Sequence, residues 1–325
     1  MRRVSIALAL IVLALGTLAA PRHLVSRTAV GPDFVHFESG HVHPAALTPS
    51  GARLLVVNTA DGRLSVFDVT GLAPVRVAEI PVGLEPVSVA ARSDSEAWVV
   101  NNLSDDVSIV NLNTLHLRAT LRVGDEPNDV VFAGAPLRAY VSVSQEDRIK
   151  VYDPGSLSSP ATAIPIDGRM PRALARNAGG TKVFAAVFHA GNRTSVLSAE
   201  EVPHDSLPSD PQFPRDSSLS GHVRPHTGLM VQQGTDGNWR DMYGKLWNYR
   251  IEYSMREVDV AEISTSSNTV TRSFGDLGAV NFGLAVGPAD LVAVTATEAR
   301  NALRLEPRLR GHMVDTRVGD RKSVV

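Results

Sequence analysis

Apolar and polar residues alternate along this chain in short runs, and the runs come in sets. Val87-Ser88-Val89-Ala90, Ala97-Trp98-Val99-Val100 and Val107-Ser108-Ile109-Val110 follow one another with only polar turns between them. A period of two, rich in β-branched side chains, predicts strands, and the short turns make them an antiparallel meander. The set recurs: Pro44, Pro86, Pro127 and Pro171 each precede such a run, at spacings of 42, 41 and 44 residues. Third strands are expected over 64–68, 107–111 and 149–153, and closing strands end at Val82-Gly83, Val123-Gly124 and Asp167-Gly168. A four-stranded unit with a period near 40 residues predicts an all-β fold, a β-propeller of four-stranded antiparallel blades. One such sheet cannot bury both of its faces alone, so the blades must stack in an array.

Five blades are visible, over 43–80, 85–121, 126–166, 170–274 and 280–319, with a tail at 320–325. A lead-in over 21–42 precedes them and carries one expected strand at 34–38. Blade four starts regularly at Met170-Pro171, and its third strand is expected at 194–197. An insertion over 203–255 then interrupts it. Five prolines in the first half of this insertion (Pro203, Pro208, Pro211, Pro214 and Pro225) exclude a regular ladder or helix there. The second half is aromatic and charged. Long insertions on a rigid scaffold commonly carry specificity, so Trp239, Arg240, Tyr243, Trp247 and Tyr249 are the candidate ligand- or partner-binding residues.

The N-terminus changes the picture of where the chain works. Arg2 and Arg3, an apolar core over 6–15 and the small-residue zone Thr17-Leu18-Ala19-Ala20 predict a signal peptide over 1–20. The expected location is outside the cytoplasm, periplasmic or extracellular. Retained, the same segment would be an N-terminal anchor and the only membrane contact expected. A net charge of −2 and no basic-aromatic stripe argue against a nucleic-acid partner. There is no cysteine, which excludes disulfides, thiolate metal sites and covalent c-type haem. No cofactor is otherwise identified.

Candidate chemistry is sparse. His41 and His43 would share one face of an extended strand, which makes them candidate metal ligands, with His36 near in sequence. His204, His222 and His226 form a second set within the insertion. The acidic pairs Asp105-Asp106, Asp125-Glu126 and Glu146-Asp147 sit at hairpins, and read first as solvated turns. Serine-hydrolase, phosphate-loop and HExxH motifs are missing.

Trp98-Val99-Val100-Asn101 followed by Val107-Ser108-Ile109-Val110-Asn111 resembles the repeat of the YVTN-type β-propellers, in the cytochrome-d1-like and lactonase-like superfamily. Leu55-Val56-Val57-Asn58 with 64–68 is similar, and Val-Gly-x-x-Pro at 82–86 and 123–127 matches the blade junction; blade three departs, with Val143 in place of the asparagine. The resemblance implies a ring that usually closes with seven blades, of which five would be an incomplete set. It also implies either of two functions. One is an exported binding or interaction scaffold that holds a protein or small-molecule ligand through blade loops and the insertion. The alternative is the propeller portion of a periplasmic redox enzyme, haem- or quinone-linked, or of a lactonase-like enzyme, with its cofactor domain elsewhere.

Overall fold

The proline-led runs form the first strands of four-stranded sheets in blades one to three, and in blade four the first strand of a sheet that continues through a His189–Val280 pairing into blade five. The computed structural model describes residues 39–158, 161–202, 228–241, 244–299 and 314–322. Blade one is β1 (Ala45–Leu47), β2 (Arg53–Asn58), β3 (Arg63–Asp68) and β4 (Val75–Pro81), paired in that order. Blade two is β5 (Pro86–Ser93), β6 (Glu96–Asn101), β7 (Asp106–Asn111) and β8 (His116–Arg122). Blade three is β9 (Pro127–Ala133), β10 (Arg138–Val143), β11 (Arg148–Tyr152) and β12 (Thr162–Pro165). The signal-peptide and lead-in-strand expectations, together with His36, lie outside the described residues.

Blade four corrects the sequence reading. Its first two strands are β13 (Arg169–Arg176) and β14 (Lys182–His189), but Thr194–Leu197 is not the third. That segment, β15, pairs instead with β16 (Leu229–Gln233), which pairs with β17 (Trp239–Arg240), as a small separate sheet. The third strand of blade four is β18 (Val260–Ser264), followed by β19 (Thr269–Phe274). The physical reason is burial on both faces. Val260, Ala261 and Ile263 of β18 are all buried between neighbouring blades, whereas β15 offers only Leu197 on one side and leaves Val196 exposed. Blade five is β20 (Val280–Val286), β21 (Leu291–Ala299) and β22 (Val314–Lys322).

Stacking, not the single sheet, makes the core. One cluster joins Leu55, Leu64 and Val66 of blade one to Val89, Val99 and Val110 of blade two. The next joins Trp98 and Ile109 to Phe132 and Val141 of blade three, with the Trp98 and Phe132 rings edge to face at 5.5 Å. Two more join blade three to four and four to five. No core cluster joins blade one to blade five among the described residues. The far face of blade one, with Leu54 paired to Phe67 across the ladder, is only half-buried.

Candidate functional site

First strands of successive blades lie side by side, β1 on β5, β5 on β9, β9 on β13 and β13 on β20, which places them innermost in the array. Each of the last four carries an irregularity just after its start. The register slips between Pro86 and Ser88, between Pro127 and Asp129, between Pro171 and Leu174, and between Asn281 and Gly283. A bulge leaves one residue out of the ladder and re-aims its side chain. In β5 it puts Val87 against blade three while Val89, two residues on, faces blade one. The other bulge residues are Asn128, Arg172 and Phe282, two of them capable of specific recognition.

The bulge also frees carbonyls, and the preceding blade satisfies them. Thr59 Oγ1 donates to the Pro86 carbonyl at 2.8 Å, Asn102 Nδ2 to that of Pro127 at 3.2 Å, and Ser144 Oγ to that of Pro171 at 2.8 Å. The acidic turn pairs act in the same junctions: Asp105 accepts from the Glu126 amide and Asp147 from the Met170 amide. They are ties between blades rather than paired catalytic carboxylates. Asn101, the asparagine of the repeat motif, is fully buried and donates to Asp106 and Ser108 within its own hairpin.

Asp129 follows the bulge of β9 and is fully buried. Its Oδ1 accepts from Ser88 Oγ of blade two at 2.5 Å and from the Val130 amide at 2.9 Å. Its Oδ2 accepts from the Leu174 amide of blade four at 2.7 Å and from His43 Nδ1 at 2.7 Å. One carboxylate therefore ties three blades and the lead-in together. Its acceptor capacity is used up, so it has no lone pair to spare as a base.

His43 enters this network through the lead-in, which runs beside β5: Val42 donates its amide to the Val87 carbonyl and His43 accepts from Val89. The Asp129 charge, and then the hydrogen bond to it, raise the His43 pKa against the opposing effect of burial. Nδ1 is committed to Asp129, and Nε2 has no hydrogen-bond partner among the described residues, on a side chain that is 39% exposed. His41 goes elsewhere. Thr59 spends its proton on Pro86, so His41 Nε2 is the donor to the Thr59 hydroxyl. The two rings proposed as metal ligands are thus engaged separately, and no group of three or more metal-ligating side chains occurs among the described residues.

Arg172, aimed out by its bulge, is the residue that the sequence reading missed. Its Nε donates to Asn128 Oδ1 at 3.1 Å and its Nη2 to the Gly40 carbonyl, and its guanidinium lies 4.9 Å from the Phe188 ring centroid. It makes no ion pair with any carboxylate among the described residues. Burial lowers its pKa, while the charge of Glu126 opposes the shift. The available signal was a charged residue inside an otherwise apolar first strand, Pro171-Arg172-Ala173-Leu174.

Two of the aromatic insertion residues are built into a small core of their own. Trp239 and Trp247 are buried with Leu197, Val202, Leu229 and Val231 in a satellite core, and Trp247 Nε1 donates to Asp241 at 3.0 Å. A three-stranded extension with one apolar face needs its own core, and these rings supply it. Arg240 is clamped by both oxygens of Asp236, at 2.9 and 2.6 Å. Tyr249 is exposed and stacked on Trp247 at 6.3 Å. Tyr243, His204, His222 and His226 lie outside the described residues.

Residues 7–200 match the family model "Lactonase, 7-bladed beta-propeller". The fold is similar to a chain of hydrazine synthase from Kuenenia stuttgartiensis (TM-score 0.61, 17% identity), over 90% of this chain and 66% of that one. A functionally unknown protein from Desulfotomaculum acetoxidans also aligns (TM-score 0.47, 10% identity), over 85% of this chain and 72% of that one. No curated protein sequence matches. Blades held by inner-strand bulges and interblade ties, with a family match over more than half the length, give one conclusion: the chain belongs to the seven-bladed lactonase family of β-propellers, and its described residues supply four four-stranded blades and three strands of a fifth.

Proposed function

We propose that this chain is an exported binding propeller that takes an organic anion at the inner-strand bulges. The observation that carries this reading is Arg172, a half-buried guanidinium that hydrogen-bonds only Asn128 and the Gly40 carbonyl among the described residues, with no carboxylate in direct contact. A guanidinium is the side chain best suited to a carboxylate or phosphate, and one partly taken out of water with no carboxylate bonded to it gains from acquiring one. His43 adds a second cationic donor when protonated, since Nδ1 is fixed on Asp129 and Nε2 is open. Export rests on Arg2, Arg3 and the apolar core over 6–15. Mature protein that retained Met1 would contradict the cleaved signal.

The test is an NMR titration with acetate. Arg172→Gln should weaken binding about ten- to a hundredfold, the range for a hydrogen bond to a charged group, with the fold intact by circular dichroism. Equal affinity in wild type and variant would refute the reading.

A second reading, lactone hydrolysis, is favoured by the open Nε2 and by the family. The neutral imidazole would take a proton from water as the water oxygen bonds to the acyl carbon. The ring C–O bond then breaks, and the proton passes to the leaving alkoxide to give a hydroxy acid. The two readings differ in pH dependence. Anion binding is strongest below the raised His43 pKa and weakens above it, whereas hydrolysis needs the neutral ring and gains as pH rises. Release of acid from simple γ- and δ-lactones, lost in His43→Gln, would support hydrolysis.

A further inference from the structure

The groups beside Arg172 say what kind of anion fits. Phe188, on the adjoining strand β14, is flanked by the Arg172 guanidinium at 4.9 Å, the His189 ring at 5.1 Å and the Phe282 ring at 5.5 Å. The two phenylalanine rings meet edge to face at 85°. Phe282 is the bulge residue of β20, the counterpart of Arg172 on β13, so adjacent first strands aim a cation and an aromatic ring from matching places. The corresponding positions in blades two and three are spent internally. Val87 is fully buried in the interblade core, and Asn128 bonds Ser144, the Glu126 carbonyl and Arg172.

Phe282 is not spent. It is 48% exposed, between the buried Asn281 and the buried Leu284 on a strand whose other residues are half-buried or, at Ala285, exposed. Its edge-to-face contact with Phe188 leaves part of its surface free. The cationic and aromatic groups both lie within about 5.5 Å of the Phe188 centroid, so a molecule of benzyl size can reach them together.

We infer that the site selects anions bearing a flat apolar group, with an aryl carboxylate as the representative ligand: the carboxylate on Arg172 and the ring against Phe282. This rests on the anion-binding reading above and narrows its ligand class. Ring–ring contacts exceed simple area burial when they are offset or edge to face, and they give shape selection that a guanidinium alone lacks.

The experiment compares acetate with phenylacetate by NMR titration of the whole chain, in wild type, Phe282→Ala, Phe282→Leu and Arg172→Gln. In wild type, phenylacetate should bind about tenfold more tightly than acetate, equal to about 1.4 kcal/mol. Phe282→Ala should cut that preference to below about threefold, by lowering phenylacetate affinity more than acetate affinity. Phe282→Leu, which keeps an apolar side chain but not the ring, should fall between them, and it guards against a packing defect in the alanine variant. Equal affinities for the two anions in wild type, or a preference untouched in both Phe282 variants, would overturn the inference while the dependence on Arg172 still stood. Binding of both anions unaffected by Arg172→Gln would instead overturn the reading beneath it.

Discussion

Asp129→Ala should be the most damaging single change in the inner array. The carboxylate accepts four hydrogen bonds, three of them from donors buried in the structure: Ser88 Oγ, the Val130 amide and the Leu174 amide. The fourth, from His43, comes from a ring that water can reach. Stranding a buried donor costs about 1–3 kcal/mol, and a water molecule in the vacated space recovers part of that. The expected loss is about 3–5 kcal/mol, a large share of the roughly 5–15 kcal/mol that holds a domain folded. Asp129→Asn keeps the volume but turns an amide N–H₂ toward existing donors, so it should lose nearly as much. Urea unfolding followed through Trp98, buried between blades two and three, measures the change once Trp239 and Trp247 are replaced by phenylalanine. The same variants should lower the His43 pKa, because the Asp129 charge is the largest cause of its elevation. In the wild type the sign follows from that elevation. The stability contributed by the His43 contact is complete below about pH 6.5 and is lost as pH rises through the higher folded value. A loss below about 1 kcal/mol, or an unmoved His43 titration, would refute the staple role.

Two further outcomes test other parts of the architecture. Trp247→Ala should remove about 3–5 kcal/mol from the satellite core. Because that cluster is separate from the interblade cores, amide exchange should rise in β15 to β17 and stay slow in β5 to β11; a uniform rise would contradict the separation. Asp259, at the junction of blades four and five, has its pKa pushed up to about 6 by burial, against hydrogen bonds from the Leu277 and Gly278 amides and Asn281. Its folded value lies above its unfolded one, so its contribution is complete below about pH 4 and is lost as pH rises through about 6. The wild type should therefore lose stability relative to Asp259→Asn across that window, and parallel pH profiles would count against it.

What the sequence made legible is what local physics dictates. Period-two runs, the junction prolines and the Val-Gly-x-x-Pro spacing place strands without reference to anything distant, and β5 to β11 follow them closely. Pairing was a different matter. Thr194–Leu197 and Val260–Ser264 both read as strands, and only burial on two faces decides which one β14 accepts. The site was hidden for a related reason. A bulge is a mismatch between two strands, so the turning out of Arg172 and Phe282 depends on the register of β14 and β21, and the first strands alone hint at it only through the charge of Arg172 in an apolar run. The burial of Trp239 and Trp247 was not legible either, since aromatic enrichment serves a small core as readily as a binding surface.

The central claim is that Arg172 and His43 meet the same anion. Long-range proton–nitrogen spectra report the His43 ring directly, and an anion beside an imidazole stabilises its charged form. Saturating acetate should raise the His43 pKa further in the wild type and leave it unmoved in Arg172→Gln. Acetate that binds while the His43 titration stays fixed would place the anion elsewhere and contradict the account.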